Sequence, residues 1–232
     1  MIAALLLSVA QPAVAQDSTR TPMSAHLRYR RLSVPDGILD SWYFNAGDEG
    51  ATEQRPSIRA SVVGVEFALE PQPTNFIFYF EYIKSGMEAG YWDDIESPPN
   101  HFDGDWIEPE GLGVFAFGAN LAHEVPLWSQ DAPVWMGLMF GGGMGLGFAK
   151  GHLNQWKPGM VQGEIIECQP GAPATIRKDL CDPDATPGIW PIVPILDLTI
   201  SPRFHIMEYG SLRFDFGIHN ALYWGFAAGS TF

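Results

Sequence analysis

Apolar side chains recur at every second position through most of this chain, the period of a β-strand whose two faces meet different surroundings. Phe76, Phe78, Phe80 and Tyr82 share one face, opposite Tyr79 and Glu81. Val63, Val65, Phe67 and Leu69 oppose Gly64 and Glu66, and Phe115, Phe117, Ala119 and Leu121 oppose Gly118, Asn120 and Glu124. Between 134 and 149, Val134, Met136, Leu138, Phe140, Met144, Leu146 and Phe148 oppose Gly137, Gly141, Gly143, Gly145 and Gly147. Toward the C-terminus, Leu196, Leu198 and Ile200 alternate with Asp197 and Thr199, continuing to Arg203 and His205. Leu212, Phe214, Phe216 and Ile218 alternate with Arg213, Asp215 and His219, and Leu222, Trp224 and Phe226 open a final run to Phe232. A less regular segment near 26–34 completes a set of eight.

The connections alternate as well. Short ones lie at 70–74, 126–133 and 207–211, long polar ones at 35–56, 88–110 and 151–190, with a tight turn near His219-Asn220. An up-and-down meander puts the short turns at one end and the long links at the other, so the pattern predicts an all-β, eight-stranded antiparallel barrel. Alternation alone does not say which face is inside. The stripe opposite the apolar one carries glycines and isolated charges: Glu66, Glu81, Glu124, Asp197 and Asp215, with Arg203, Arg213, His205 and some of Arg28, Arg30 and Arg31 to balance them. A water-facing surface is richer in charge than this, whereas paired charges and glycines suit a narrow, filled interior. The apolar face is therefore expected to meet lipid, making the barrel transmembrane with long outward loops. Tryptophans near strand ends, among them Trp92, Trp106, Trp128, Trp135 and Trp224, fit interfacial girdles.

Composition agrees. With 25 Gly and 19 Pro in 232 residues a helical bundle is disfavoured, because both residues weaken helix interiors. A net charge of −14 with 13 Lys+Arg excludes nucleic acid as a natural partner. Residues 1–15, MIAALLLSVAQPAVA, have the apolar stretch and the A-x-A ending of a secretory signal peptide, which leaves 16–232 as one exported barrel domain. No other stretch approaches the ~18 apolar residues of a transmembrane helix. In an oxidising compartment Cys168 and Cys181, in a Pro/Gly-rich polar stretch, read as a disulfide closing a short loop.

These features resemble the small eight-stranded outer-membrane β-barrels of Gram-negative bacteria. The resemblance is carried by the signal segment, the Gly-rich strand GGGMGLGF at 141–148 and the last strand LYWGFAAGSTF at 222–232. It implies an outer-membrane location, contact with outer-membrane lipid and lipopolysaccharide, and reading of the strand ending in Phe232 by the barrel-assembly machinery. It leaves function open, since the class includes anchors, adhesins, pores and lipid-modifying enzymes.

Charge and motifs narrow the choice. The three long links carry net −4, −8 and −2, which accounts for the whole formal charge. Such an acidic cap keeps an exposed surface soluble and repulsive. Asp103 and Asp105 also offer hard oxygen ligands of the kind Ca²⁺ takes, without a complete EF-hand spacing, and no other cofactor is indicated. No H-E-x-x-H, G-x-S-x-G or Walker A spacing occurs. Lipid A deacylases of similar architecture carry a His-x-Ser pair, but here His219 is followed by Asn220 and Ala221. The expectation is a non-enzymatic barrel with a side-chain-filled lumen, displaying acidic loops for structural, adhesive or cation- and partner-binding roles at the cell surface. A narrow pore or lipid-modifying enzyme and a soluble lipocalin-like binder are the alternatives.

Overall fold

The structure is a computed structural model that describes residues 21–35, 57–71, 73–92, 105–130, 132–156, 159–161, 164–166, 191–207 and 209–232. The segment 1–15, Cys168, Cys181 and Asp103 lie outside the described residues. The described residues form eleven strands: β1 Met23–Ser33, β2 Arg59–Leu69, β3 Thr74–Ser85, β4 Gly90–Trp92, β5 Asp105–Pro126, β6 Val134–Trp156, β7 Gly159–Val161, β8 Glu164–Ile166, β9 Ile192–Ile206, β10 Gly210–His219 and β11 Leu222–Thr231. Eight of them (β1, β2, β3, β5, β6, β9, β10 and β11) pair with their neighbours in sequence order, all antiparallel, and β1 against β11 closes the ring. No edge is left on the barrel to recruit another chain. Among the described residues there is no helix.

The register closes with a stagger. Hydrogen-bonded partners followed once around from Phe140 run through Ile200, Phe216, Trp224, Arg31, Ser61, Lys84 and Gly113, and return to β6 at Lys150, ten residues farther along. With strands ~4.8 Å apart and ~3.3 Å of rise per residue, a ten-residue stagger over eight strands tilts them by about 41° and sets a backbone radius of about 8 Å. An interior of that width is filled by side chains reaching from opposite walls.

The period-two pattern becomes inside and outside. Large apolar residues face out: Leu27 is 63% exposed, Phe67 57% and Phe78 51%. Charged residues face in, with Arg30 at 1% and Asp197 at 0%. Two small apolar clusters lie inside, Ala68, Ile77, Ala122 and Met139 toward the short-turn end and Leu32, Val62 and Tyr223 toward the opposite end. The glycines of β6 make room for neighbours on the wall. A Cβ on Gly145 would lie 2.5 Å from both the Tyr79 hydroxyl and the Phe117 carbonyl oxygen, and one on Gly137 would lie 2.5 Å from Glu124 Oε1. Removing these side chains is what lets long polar groups lie flat against the sheet.

Two expectations are corrected, and one left open is resolved. The links 88–110 and 151–190 contain strand: β5 begins at Asp105 and β6 runs on to Trp156, with β4, β7 and β8 added beyond the barrel. Beyond a register shift between Glu110 and Gly113, where Gly111 and Gly151 take positive φ, the two strands leave the ring as a ribbon. None of the ribbon's described side chains is fully buried, and its sequence, with Glu108, Pro109 and Glu110, loses the alternation that marks the barrel. Second, of Arg28, Arg30 and Arg31 the first two are the interior ones, and Arg31 lies on the outer face with its guanidinium donating to Ser61 Oγ at 2.7 Å, because its parity is that of Leu27 and Tyr29. Third, Trp135 is not part of an outer girdle. It is buried inside at 9% exposure, whereas Trp128 and Trp224 are outside.

At the long-link end the β10–β11 turn is held by Asn220, which takes the left-handed conformation Asn tolerates. Its Oδ1 accepts from the Leu196 amide at 2.8 Å and its Nδ2 donates to the Pro194 carbonyl at 2.7 Å, fastening the turn to β9. Gly145→Val is expected to lower the unfolding free energy of the refolded barrel by about 1–3 kcal/mol, since backbone as well as side chain must shift. Urea titration in micelles checks this, and an unchanged midpoint would contradict the packing of Tyr79 against β6.

Candidate functional site

The interior charges form one connected network of three tiers. Nearest the short turns, Arg203 is the hub. Its Nη2 donates to Glu70 Oε1 at 2.7 Å and its Nη1 to Glu124 Oε2 at 3.3 Å. Ser24 also donates to Glu70, at 2.6 Å, and Asn75 to Glu124 at 3.3 Å. His205 Nε2 lies 2.7 Å from Glu124 Oε1, and its ring stacks on Trp135 at 3.7 Å between centroids and 5° between planes.

The middle tier is built on Arg213. This guanidinium grips Glu66 through Nη1 at 2.8 Å and Nη2 at 2.9 Å, and it donates from Nε to Asp215 Oδ1 at 2.6 Å. Ser201 completes Asp215 at 2.7 Å. Ser211 joins this tier to the lower one, lying 2.6 Å from His26 Nε2 and 3.5 Å from Arg203 Nη2.

The upper tier has two arginines, each flat on a tyrosine. Arg28 pairs with Glu81 and sits 4.3 Å from the centre of the Tyr79 ring; Arg30 bonds Asp197 at 2.9 Å and sits 4.3 Å from Tyr223. His219 bridges their two acids, with Nε2 2.8 Å from Glu81 and Nδ1 3.5 Å from Asp197. Asn120 donates to Asp197 at 2.9 Å. Both arginines also reach the middle tier, Arg28 to Glu66 at 3.6 Å and Arg30 to Asp215 at 3.7 Å. Among the described buried residues, six carboxylates meet four guanidiniums and three histidines.

All eight interior residues picked from the sequence (Glu66, Glu81, Glu124, Asp197, Arg203, His205, Arg213 and Asp215) are therefore buried together in this network. Asp105 is placed by its backbone alone, opposite Trp92. Among the described residues no group of three or more His, Cys, Asp or Glu is arranged to hold a metal ion. The sequence reading missed Glu70, Asn75, His26 and Trp135 as members. Parity could have found each: Glu70 continues the register of Glu66, Asn75 that of Tyr79 and Glu81, and Trp135 that of the β6 glycines.

One substructure has the order of a hydrolytic triad. Ser211 Oγ contacts His26 Nε2, and His26 Nδ1 is 3.5 Å from Glu66 Oε1. Two features set it apart from an accessible triad. Ser211 is only 5% exposed and is already engaged by His26 and Arg203, so a substrate carbonyl has no approach. Glu66 is held by the Arg213 fork, which removes the charge a triad acid supplies to its histidine.

Arg213→Leu strands Glu66 and Asp215 in the interior and is expected to destabilise the barrel by about 3–5 kcal/mol, measured by denaturant titration in micelles. A fluorophosphonate probe is expected to leave Ser211 of the folded barrel unlabelled. Labelling that disappears in Ser211→Ala would make the triad a hydrolase instead. No protein-family model matches this chain, and no curated protein matches it either.

Proposed function

We propose that this chain is a non-enzymatic barrel of a bacterial outer membrane, closed to solutes, that anchors an acidic surface formed by its long outward links. The observation that carries this reading is the inversion of polarity, with phenylalanines and leucines outside and ion pairs inside. In water, that outer surface would be an apolar patch encircling the molecule, far larger than the few hundred Å² that soluble monomers expose. A soluble lipocalin-like binder needs the opposite arrangement.

Dimensions support the same reading. The ten residues of β10, tilted by about 41°, rise about 25 Å, the height of the apolar band on a transmembrane barrel. Exposed aromatics lie past the strands at the short-turn end, with Trp128 at 55% and Phe232 at 65%. The links 35–56, 88–110 and 151–190 all leave from the opposite end and carry the chain's net negative charge. A pore is disfavoured because guanidiniums and carboxylates contact one another directly across the interior in every tier.

The test is conductance of the refolded chain in a planar bilayer, with insertion verified by a heat-modifiable gel shift. An inserted, silent barrel is expected; steady openings would make it a pore. Phe214→Arg places a charge on the outer face at midstrand and is expected to lower stability in lipid vesicles by about 2–4 kcal/mol. Equal folding yields for variant and wild type would overturn the lipid-facing assignment.

A further inference from the structure

We infer that the outer rim of the barrel, at the end bearing the long links, holds a binding site for the phosphate of a lipid headgroup, centred on Lys84 and Lys150; the inference rests on the lipid-facing reading of the outer surface. The described residues include eight Lys and Arg. Four are inside: Arg28, Arg30, Arg203 and Arg213. The other four, Arg31, Arg59, Lys84 and Lys150, all lie on the outer face near the same end of the barrel, on β1, β2, β3 and β6. Arg31, Ser61, Lys84, Gly113 and Lys150 form one hydrogen-bonded row across five adjacent strands. On the remaining flank the outer positions toward that end are Leu196, Ile218 and Leu222, with no cation among the described residues. The charge is thus confined to one sector.

Within that sector the two lysines flank Gly113 in the register, one on each neighbouring strand. Gly113 stands between them and contributes no side chain, and the Tyr82 ring lies in its place: a Cβ on Gly113 would be 2.6 Å from the Tyr82 hydroxyl. Lys150 Nζ is 4.9 Å from the centre of that ring and 5.2 Å from that of Phe115. The two Cα atoms are two strand spacings apart, about 10 Å, and the four-carbon stems let both ammonium groups converge on one anion between them. A cleft of about 200 Å³ opens on the Lys84 side of the pair, where Tyr82, Lys84, Ser85, Met87, Gly111 and Leu112 are among its lining residues. It lies where the β3–β5 pairing ends at Lys84 and Gly113, next to the register shift between β5 and β6.

The occupant follows from what borders the site. Below it the outer face is aromatic and aliphatic, with Phe80, Phe115 and Phe117 exposed. Two ammonium groups, a hydroxyl-bearing cleft and an adjoining apolar wall match an anionic phosphate attached to acyl chains. Cations at the edge of an apolar band lie where headgroup phosphates lie. Free phosphate would use the charges and leave the wall unused. Glu88 and Glu110, at the same end of the barrel, form no ion pair with either lysine among the described residues, and Glu110 accepts from Asn154.

The experiment uses the refolded chain in nanodiscs of phosphatidylcholine doped with phosphatidic acid, with bound lipids counted by native mass spectrometry. Wild type is expected to retain phosphatidic acid over phosphatidylcholine by about tenfold, K84Q/K150Q to lose that preference, and K84R/K150R to keep it. Equal retention by wild type and K84Q/K150Q overturns the site. Displacement of the lipid by millimolar inorganic phosphate overturns the lipid as its source. No preference in wild type, together with a barrel destabilised by K84Q/K150Q, means the chain's own acidic links occupy the lysines and also overturns it. Failure of every form to insert, read separately from the gel shift, instead overturns the membrane reading itself.

Discussion

Everything in this fold depends on neutralising charge inside a cylinder about 8 Å in backbone radius. Ten carboxylate and guanidinium groups share that space, and none has enough water around it to be stable alone. Each arginine consequently serves two acids: Arg203 holds Glu70 and Glu124, Arg213 holds Glu66 and Asp215, Arg28 holds Glu81 and Glu66, and Arg30 holds Asp197 and Asp215. The acids come from β2, β5, β9 and β10, from β3 through Glu81, and from Glu70 just past β2, while the arginines come from β1, β9 and β10. The network therefore ties opposite walls together and fixes the register of strands that do not touch. In a sheet closed on itself a one-residue slip would turn every charge outward and every phenylalanine inward. Backbone pairing alone would not forbid that slip; the ion pairs and the two-faced alternation do.

The same requirement explains the small residues. A wide guanidinium or tyrosine must lie along the wall, and it does so where the neighbouring strand has no side chain. Gly145 admits the Tyr79 hydroxyl, and Tyr79 in turn supports Arg28. Gly225 likewise backs onto Arg30, whose Cγ a Cβ there would approach to 2.8 Å. Glycine in a strand normally weakens it, but Gly225 and Gly145 make room, directly or through Tyr79, for a buried arginine that is paired.

Most of this architecture was legible in the sequence because barrel strands have only two faces and the period is two. Once Phe76, Phe78 and Phe80 are assigned outward, Glu81 is inside by parity, and the same logic delivers Asp197, Arg203, Arg213 and Asp215. What parity cannot supply is partnership across the barrel, which depends on the stagger. That Arg213 meets Glu66, 147 residues away, follows from ring closure and not from any local spacing. A second rule laid over parity misleads: a tryptophan near a strand end suggests a girdle, yet the odd number of Trp135 places it inside with Gly137. Charge alone leaves Arg28, Arg30 and Arg31 equivalent, and parity separates Arg31, which goes with Leu27, from the two interior arginines. The ribbon of β5 and β6 was illegible for a different reason: above the ring neither face is buried, so no alternation is imposed.

The outer-face cations show how the two sides of the wall answer to different constraints. Inside, every described cation is matched by named acids within 4 Å, and the arrangement is set by neutrality. Outside, Arg31, Arg59, Lys84 and Lys150 contribute nothing to the interior and sit in one sector at one level. A need for solubility alone would spread such charges around the circumference, and would place them beyond the apolar band on all sides. The flank formed by β9, β10 and β11 instead stays apolar to Ile218 and Leu222. A glycine between two lysines, a tyrosine laid across it, and a cleft next to a register shift are local features that barrel closure does not require. Their coincidence at the upper edge of the apolar band is what an amphiphile with an anionic head would select.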